Sequence, residues 1–344
     1  MGLDGVLLRA MRFVVDAALA PPPSQIPALR LAAEPYLAED LQREPKRFFD
    51  FLEGIKDRQP RFVVERFKRT LDGGVLISRQ FLSDYRRFIE RDDDPVCLEN
   101  ERVPIEHWMH EPERPRGTVV ALHGFSMGQP MIDAFGMMAA DWYRHGLDVA
   151  LVTLPYHGAR SPRRARFSGE LFASPDVGNL NEAVRQAVGD VRQTINWLRR
   201  ETGAPVGLLG LSLGGYISSL MAGLMDDLDF VIPIVPPVDL ADLAWRFFIQ
   251  SAGAGAHPPL EREQHYLAYR LHSPLTFPRR VAKERLLIIA GRGDLVVPPE
   301  HPHALWQHWE QPSIYWFSGS HIAPFRRRLM VEQVVSHLKK VGVL

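Results

Sequence analysis

From Gly117 onward, short apolar runs alternate with loops and amphipathic stretches, and this alternation constrains the fold more than any other feature of the chain. Runs that are apolar on both faces and too short for helices belong inside a parallel sheet. The amphipathic stretches between them supply the crossover helices that such a sheet requires. The predicted strands are 118–122, 148–154, 206–209, 230–235, 285–290 and 313–317. The clearest predicted helix is 181–200, where Val184, Ala187, Val188, Val191, Ile195 and Leu198 recur three or four residues apart. The expected fold class is therefore α/β, a mostly parallel sheet with helices on both faces. Ligands bind at the carboxyl ends of strands in such sheets, so the residues following each strand are the candidates for chemistry.

Composition narrows the function classes. The 344 residues suffice for a large core, and 46% hydrophobic with 24% charged residues is a globular balance. Lys plus Arg and Asp plus Glu are each 41, so no net field recruits nucleic acid. Cys97 is the single cysteine, which excludes an internal disulfide and a multi-cysteine metal site and makes the cytoplasm the default location. Residues 1–20 are apolar in part, but Asp4, Arg9, Arg12 and Asp16 interrupt them. Neither a signal peptide nor a transmembrane helix is expected there. The stretch reads as an amphipathic helix docking on the protein's own core, with peripheral membrane contact through residues 1–20 as the other reading. Residues 1–100 are expected to form a helical extension, with short helices over 28–67 broken by Pro35, Pro45 and Pro60, leading into antiparallel strands from Gly73. Residues 101–344 are expected to form the catalytic domain, with a cap inserted at about 236–280, where the alternation lapses.

Directly after strand 206–209 comes Gly210-Leu211-Ser212-Leu213-Gly214-Gly215, followed by an apolar helical stretch. Glycines flanking a serine at a strand-to-helix turn let the two elements approach closely and project the hydroxyl into open space. Here the chain resembles the α/β-hydrolase superfamily, and the resemblance makes further demands in order. Gly291-Arg292-Gly293-Asp294, after strand 285–290, looks like that family's acid loop, and Ser318-Gly319-Ser320-His321, after strand 313–317, looks like its histidine loop. The resemblance implies Ser212 as nucleophile, His321 as base and Asp294 as the acid that orients it. Asp239, after strand 230–235, is the alternative acid. His123-Gly124-Phe125 resembles the family's H-G-x turn, which implies an oxyanion hole built from the backbone N–H groups of Phe125 and Leu213.

Substrate contacts are expected from two further places. The loop Pro155 to Arg166 carries His157, Arg160, Arg163, Arg164 and Arg166 at the same rim. These arginines either clamp an anionic substrate or pair with Glu170, Asp176 and solvent. In the cap, Trp245 and Phe248 either line a pocket or pack the cap onto the core. His301, His303 and His308 lack metal-ligand spacing, and no phosphate-cradling glycine motif occurs, so no metal or cofactor is expected. The expected activity is hydrolysis of a small-molecule carboxylic ester through an acyl-enzyme. Thioesterase, acyltransferase or serine peptidase chemistry are the enzymatic alternatives, and a catalytically silent binding protein of the same fold is the non-enzymatic one.

Overall fold

The computed structural model describes residues 21, 23–91, 97–111, 114–251, 258–321 and 327–344, with backbone alone for residues 23 and 247–251. The expectations for residues 1–20 fall outside the described residues.

Nine strands form one sheet: β1 (Arg61–Leu71), β2 (Gly74–Leu82), β3 (Arg102–His110), β4 (Gly117–Leu122), β5 (Leu147–Val152), β6 (Val206–Leu211), β7 (Val231–Ile234), β8 (Leu287–Gly291) and β9 (Ser313–Phe317). Their order is β1-β2-β3-β5-β4-β6-β7-β8-β9. From β4 to β9 all neighbours are parallel, whereas β1, β2 and β3 are antiparallel to one another and β3 is antiparallel to β5. Strands β4 and β5 are buried along their entire length because helices cover both sheet faces. One buried cluster, around Val184, Val188, Ile217 and Leu220, fills one face. A second, around Val149, Ile232, Ile289 and Val334, fills the other. The mostly parallel α/β sheet expected from the alternation is the observed architecture.

The front of the chain differs from expectation in two ways. Arg61–Leu71 is a strand and not the end of a helical run; it pairs with β2 through a turn at Asp72-Gly73, where Gly73 takes φ +74°. The boundary expected near residue 100 does not separate two bodies, since β2 pairs with β3 from Gly74–His110 to Leu82–Arg102.

The helix Val177–Thr202 is capped by the Asp176 carboxylate, which accepts the Asn179 N–H at 3.0 Å, and ends at Gly203 in the left-handed region at φ +64°. Its apolar side packs on the sheet, and its polar side is buried too, beneath residues 26–89. Tyr36 and Tyr85 hydroxyls and the Phe88 and Ile89 N–H groups all donate to Glu182, and Arg185 Nε donates to Phe48 O. Between β7 and β8 lie the helices Leu240–Ser251 and Arg262–Arg270, in the interval expected to carry a cap.

Candidate active site

Ser212 stands between β6 and the helix Leu213–Leu224 with φ +52° and ψ −111°, a region side-chain-bearing residues rarely enter. The turn is tight enough that a Cβ on Gly210 would stand 2.1 Å from Gly214 O, and one on Gly214 would stand 2.0 Å from Leu122 O. Glycine is therefore required at both positions for β6, the helix and β4 to approach as they do.

Two loops from later strands meet this serine. His321, beyond β9, places Nε2 3.0 Å from Ser212 Oγ and Nδ1 2.7 Å from Asp294 Oδ2. Asp294, beyond β8, is buried, and its Oδ1 accepts the N–H groups of Val296 at 2.9 Å and Val297 at 2.8 Å. Both carboxylate oxygens are thereby engaged, so the imidazole is held with Nδ1 donating and Nε2 free to accept from the hydroxyl. Asp239 lies elsewhere: its Oδ1 accepts the Asp242 N–H at 2.8 Å, at the start of the helix Leu240–Ser251.

The residues of the expected oxyanion donors line one cavity together with Ser212. Leu213 opens its helix, so its N–H has no intrahelical acceptor, and Phe125 follows β4 in the neighbouring loop. His123 fixes that loop. Its buried ring accepts the Leu154 N–H at Nε2, 3.0 Å away, and donates from Nδ1 to Gly124 O at 2.8 Å, while His123 O accepts the Gly214 N–H at 3.0 Å. Burial pushes the His123 imidazole below its ordinary pKa, which keeps it neutral and preserves the accepting nitrogen. His123 entered the sequence analysis only as part of a turn motif; the signal for its role was a histidine at the end of a strand without a charged residue.

Two expected substrate contacts are corrected. His157 and Arg160 are fully buried. Arg160 donates to Thr153 O, Asn100 O and the Asp190 carboxylate, and so serves as an internal tie between the loop after β5 and the helix Val177–Thr202. His157 donates to or accepts nothing at the surface; its ring packs edge-on against Phe125 and His123, and its Nδ1 lies 2.8 Å from Pro155 O. Of the other rim arginines, Arg166 pairs with Glu170. Trp245 faces a small separate cavity with Pro258, Leu260 and His265, and not the space beside Ser212. The Phe248 side chain lies outside the described residues. His301, His303 and His308 are dispersed, with His308 bound to Phe277 O and His301 beside Val238 N and Asp242, and among the described residues no cluster of metal-ligating side chains occurs. No described helix is long and apolar enough to cross a membrane.

Two apolar cavities meet at Ser212. One, of about 130 Å³, is walled by Phe172, Leu180, Leu240, Leu243, Tyr269 and Val296. The other, of about 390 Å³, is walled by Met127, Ile132, Phe135, Met138, Phe317, His321 and Met330. The helices between β7 and β8 contribute Leu240, Leu243, Ala244 and Tyr269 to the first cavity.

Comparison with known proteins bears on the fold and the superfamily. A family model described as serine hydrolase (FSH1) matches residues 170–333, and one described as alpha/beta hydrolase domain containing 18 matches residues 98–240. The crystal structure of acetyl xylan esterase 1 from Thermoanaerobacterium sp. aligns with a TM-score of 0.63 over 99% of both chains at 15% identity. An acetyl xylan esterase from Paenibacillus sp. aligns with a TM-score of 0.59 over 92% of this chain and 99% of that one, at 16% identity. The chain belongs to the α/β-hydrolase superfamily. Among curated proteins it is 36% identical to the uncharacterized protein Rv2627c of Mycobacterium tuberculosis over 247 residues, a match that covers 69% of this chain and 57% of that protein.

Proposed function

We propose that the protein is a serine hydrolase that cleaves a carboxylic ester through an acyl-enzyme on Ser212. The observation that carries this reading is the continuous hydrogen-bond chain from Ser212 Oγ to His321 at 3.0 Å and from His321 to buried Asp294 at 2.7 Å. A serine hydroxyl is a weak nucleophile at neutral pH, and an oriented imidazole that accepts its proton during attack overcomes that weakness. Asp294 holds the tautomer and stabilises the imidazolium without taking the proton. The N–H groups of Phe125 and Leu213 receive the negative charge that develops on the carbonyl oxygen, each donor contributing on the order of 10² to 10³ in rate. The serine hydrolase family model and the esterase neighbours support the same chemistry.

The test is turnover of p-nitrophenyl esters together with labelling by a fluorophosphonate. Wild type is expected to turn over and to label on Ser212, and Ser212→Ala is expected to do neither while keeping its circular dichroism spectrum. An Ala variant that retains the wild-type rate would sink the assignment.

A further inference from the structure

The two cavities that meet at Ser212 are not equivalent. His321 lines the larger one and is absent from the walls of the smaller one. This asymmetry assigns the two halves of an ester, on the reading that Ser212 is the nucleophile. In the acylation step Ser212 Oγ bonds to the carbonyl carbon and its proton passes to His321 Nε2. The bond from the carbonyl carbon to the alkoxy oxygen then breaks, and the proton on Nε2 passes to that oxygen, which leaves as the alcohol. The alkoxy oxygen must therefore lie on the His321 side. The acyl group, on the opposite side of the same carbon, is directed into the cavity without His321.

We infer that the cavity of Ile132, Phe135, Phe317 and Met330 is the site for the alcohol half of the substrate, that this half is the larger and is apolar, and that the acyl half is compact and apolar. Among its described lining residues His321 is the sole titratable side chain, and the polar atoms are confined to Ser126, Ser212, His321 and backbone. A carbohydrate would leave its hydroxyl groups without partners against such walls. The outer wall is the helix Pro130–Gly136, whose Ile132 and Phe135 are 56% and 75% exposed although both line the cavity. An apolar alcohol chain extending out of the cavity covers this surface and removes it from water.

An isomeric pair tests the assignment on wild-type protein. Hexyl butanoate and butyl hexanoate have the same formula and differ only in which side of the carbonyl carries the longer chain. Burial of a methylene contributes about 0.8 kcal/mol, or about fourfold, so two methylenes placed on the favoured side are expected to raise kcat/KM by roughly fifteenfold for hexyl butanoate. Phe135→Ser, at a position 75% exposed where the ring also lies under the Arg327 guanidinium at 4.9 Å, is expected to shrink the preference for hexyl over ethyl butanoate and to leave the ratio of ethyl hexanoate to ethyl butanoate unchanged. Equal rates, preference for butyl hexanoate, or faster release of acetate from acetylated xylan than from hexyl acetate would each overturn the assignment. Fluorophosphonate labelling read on the same preparation separates the two levels: a labelled enzyme with the wrong preference refutes the cavity assignment alone, whereas an enzyme unlabelled at Ser212 refutes the nucleophile beneath it.

Discussion

Ser212 and Asp294 owe their placement to backbone as much as to side chain. The serine is held at φ +52° by the close contact of β6, β4 and the helix it starts, and the aspartate is fixed by two N–H groups of its own loop. Asp294→Asn is expected to lower kcat/KM by about 10⁴, because an amide at this position favours the wrong imidazole tautomer. Asp239→Asn is expected to change it little, since that carboxylate caps a helix. The reverse order of damage in steady-state rates would transfer the acid role. These residues were legible in the sequence because each directly follows an apolar strand, where the fold puts its chemistry. Arg160 was misread for an equally physical reason: composition marks an arginine as a surface cation, and only the structure reveals that a buried carboxylate, Asp190, waits for it. Trp245 shows the same limit, for the helix Leu240–Ser251 places Leu240 and Leu243 on the cavity that holds Ser212 and its tryptophan on the other.

Among the elements, the helix Val177–Thr202 departs furthest from its sequence pattern. Its apolar positions marked the sheet-facing side, and its polar positions carried no assignment. Those positions are buried and hydrogen-bonded: Glu182 to two tyrosines, Gln186 to Asn100, Asp190 to Arg160 and Ser83, and Asn196 to Ile55 O. A face of this kind cannot be recognised from periodicity, because hydrogen-bonding side chains look the same whether their partner is water or another part of the chain. The Arg160–Asp190 pair makes the point measurable. Arg160→Ala leaves the Asp190 carboxylate buried without its cation and is expected to cost about 3–5 kcal/mol of stability, read as a lowered urea midpoint. An effect on KM with an unchanged midpoint would restore Arg160 to the substrate.

Over the whole molecule, histidine burial sets the acid limit of stability. Burial drives the pKa of His272 down to about 3; its ring lies 2.5 Å from the Tyr216 hydroxyl and 2.9 Å from Asn181 Oδ1. Burial also depresses His107, His123, His157 and His301. A group neutral in the fold and protonated when unfolded stabilises the fold fully above its ordinary value near 6.5 and progressively less as pH falls toward the folded value. For His272 alone the loss between pH 6.5 and 5 is about 2 kcal/mol. Urea midpoints are expected to drop across that interval, with a shallower drop in His272→Gln, and a flat profile would contradict the burial argument. The nine-stranded sheet itself was legible from β4 onward, where strands are continuous apolar runs. Strand β1 was missed because Arg61, Glu65, Arg66, Lys68 and Arg69 expose charge along an edge and hide the pairing.

The covering of Glu182 by Tyr36, Tyr85 and the backbone at Phe88 and Ile89 reaches further than local packing. Leu180, two residues before that carboxylate, is part of the wall beside Ser212. The back of the smaller cavity thus rests on a foundation laid by the earliest described part of the chain. A fragment trimmed to the hydrolase-like strands would keep Ser212, Asp294 and His321 and lose the footing of the cavity beside them.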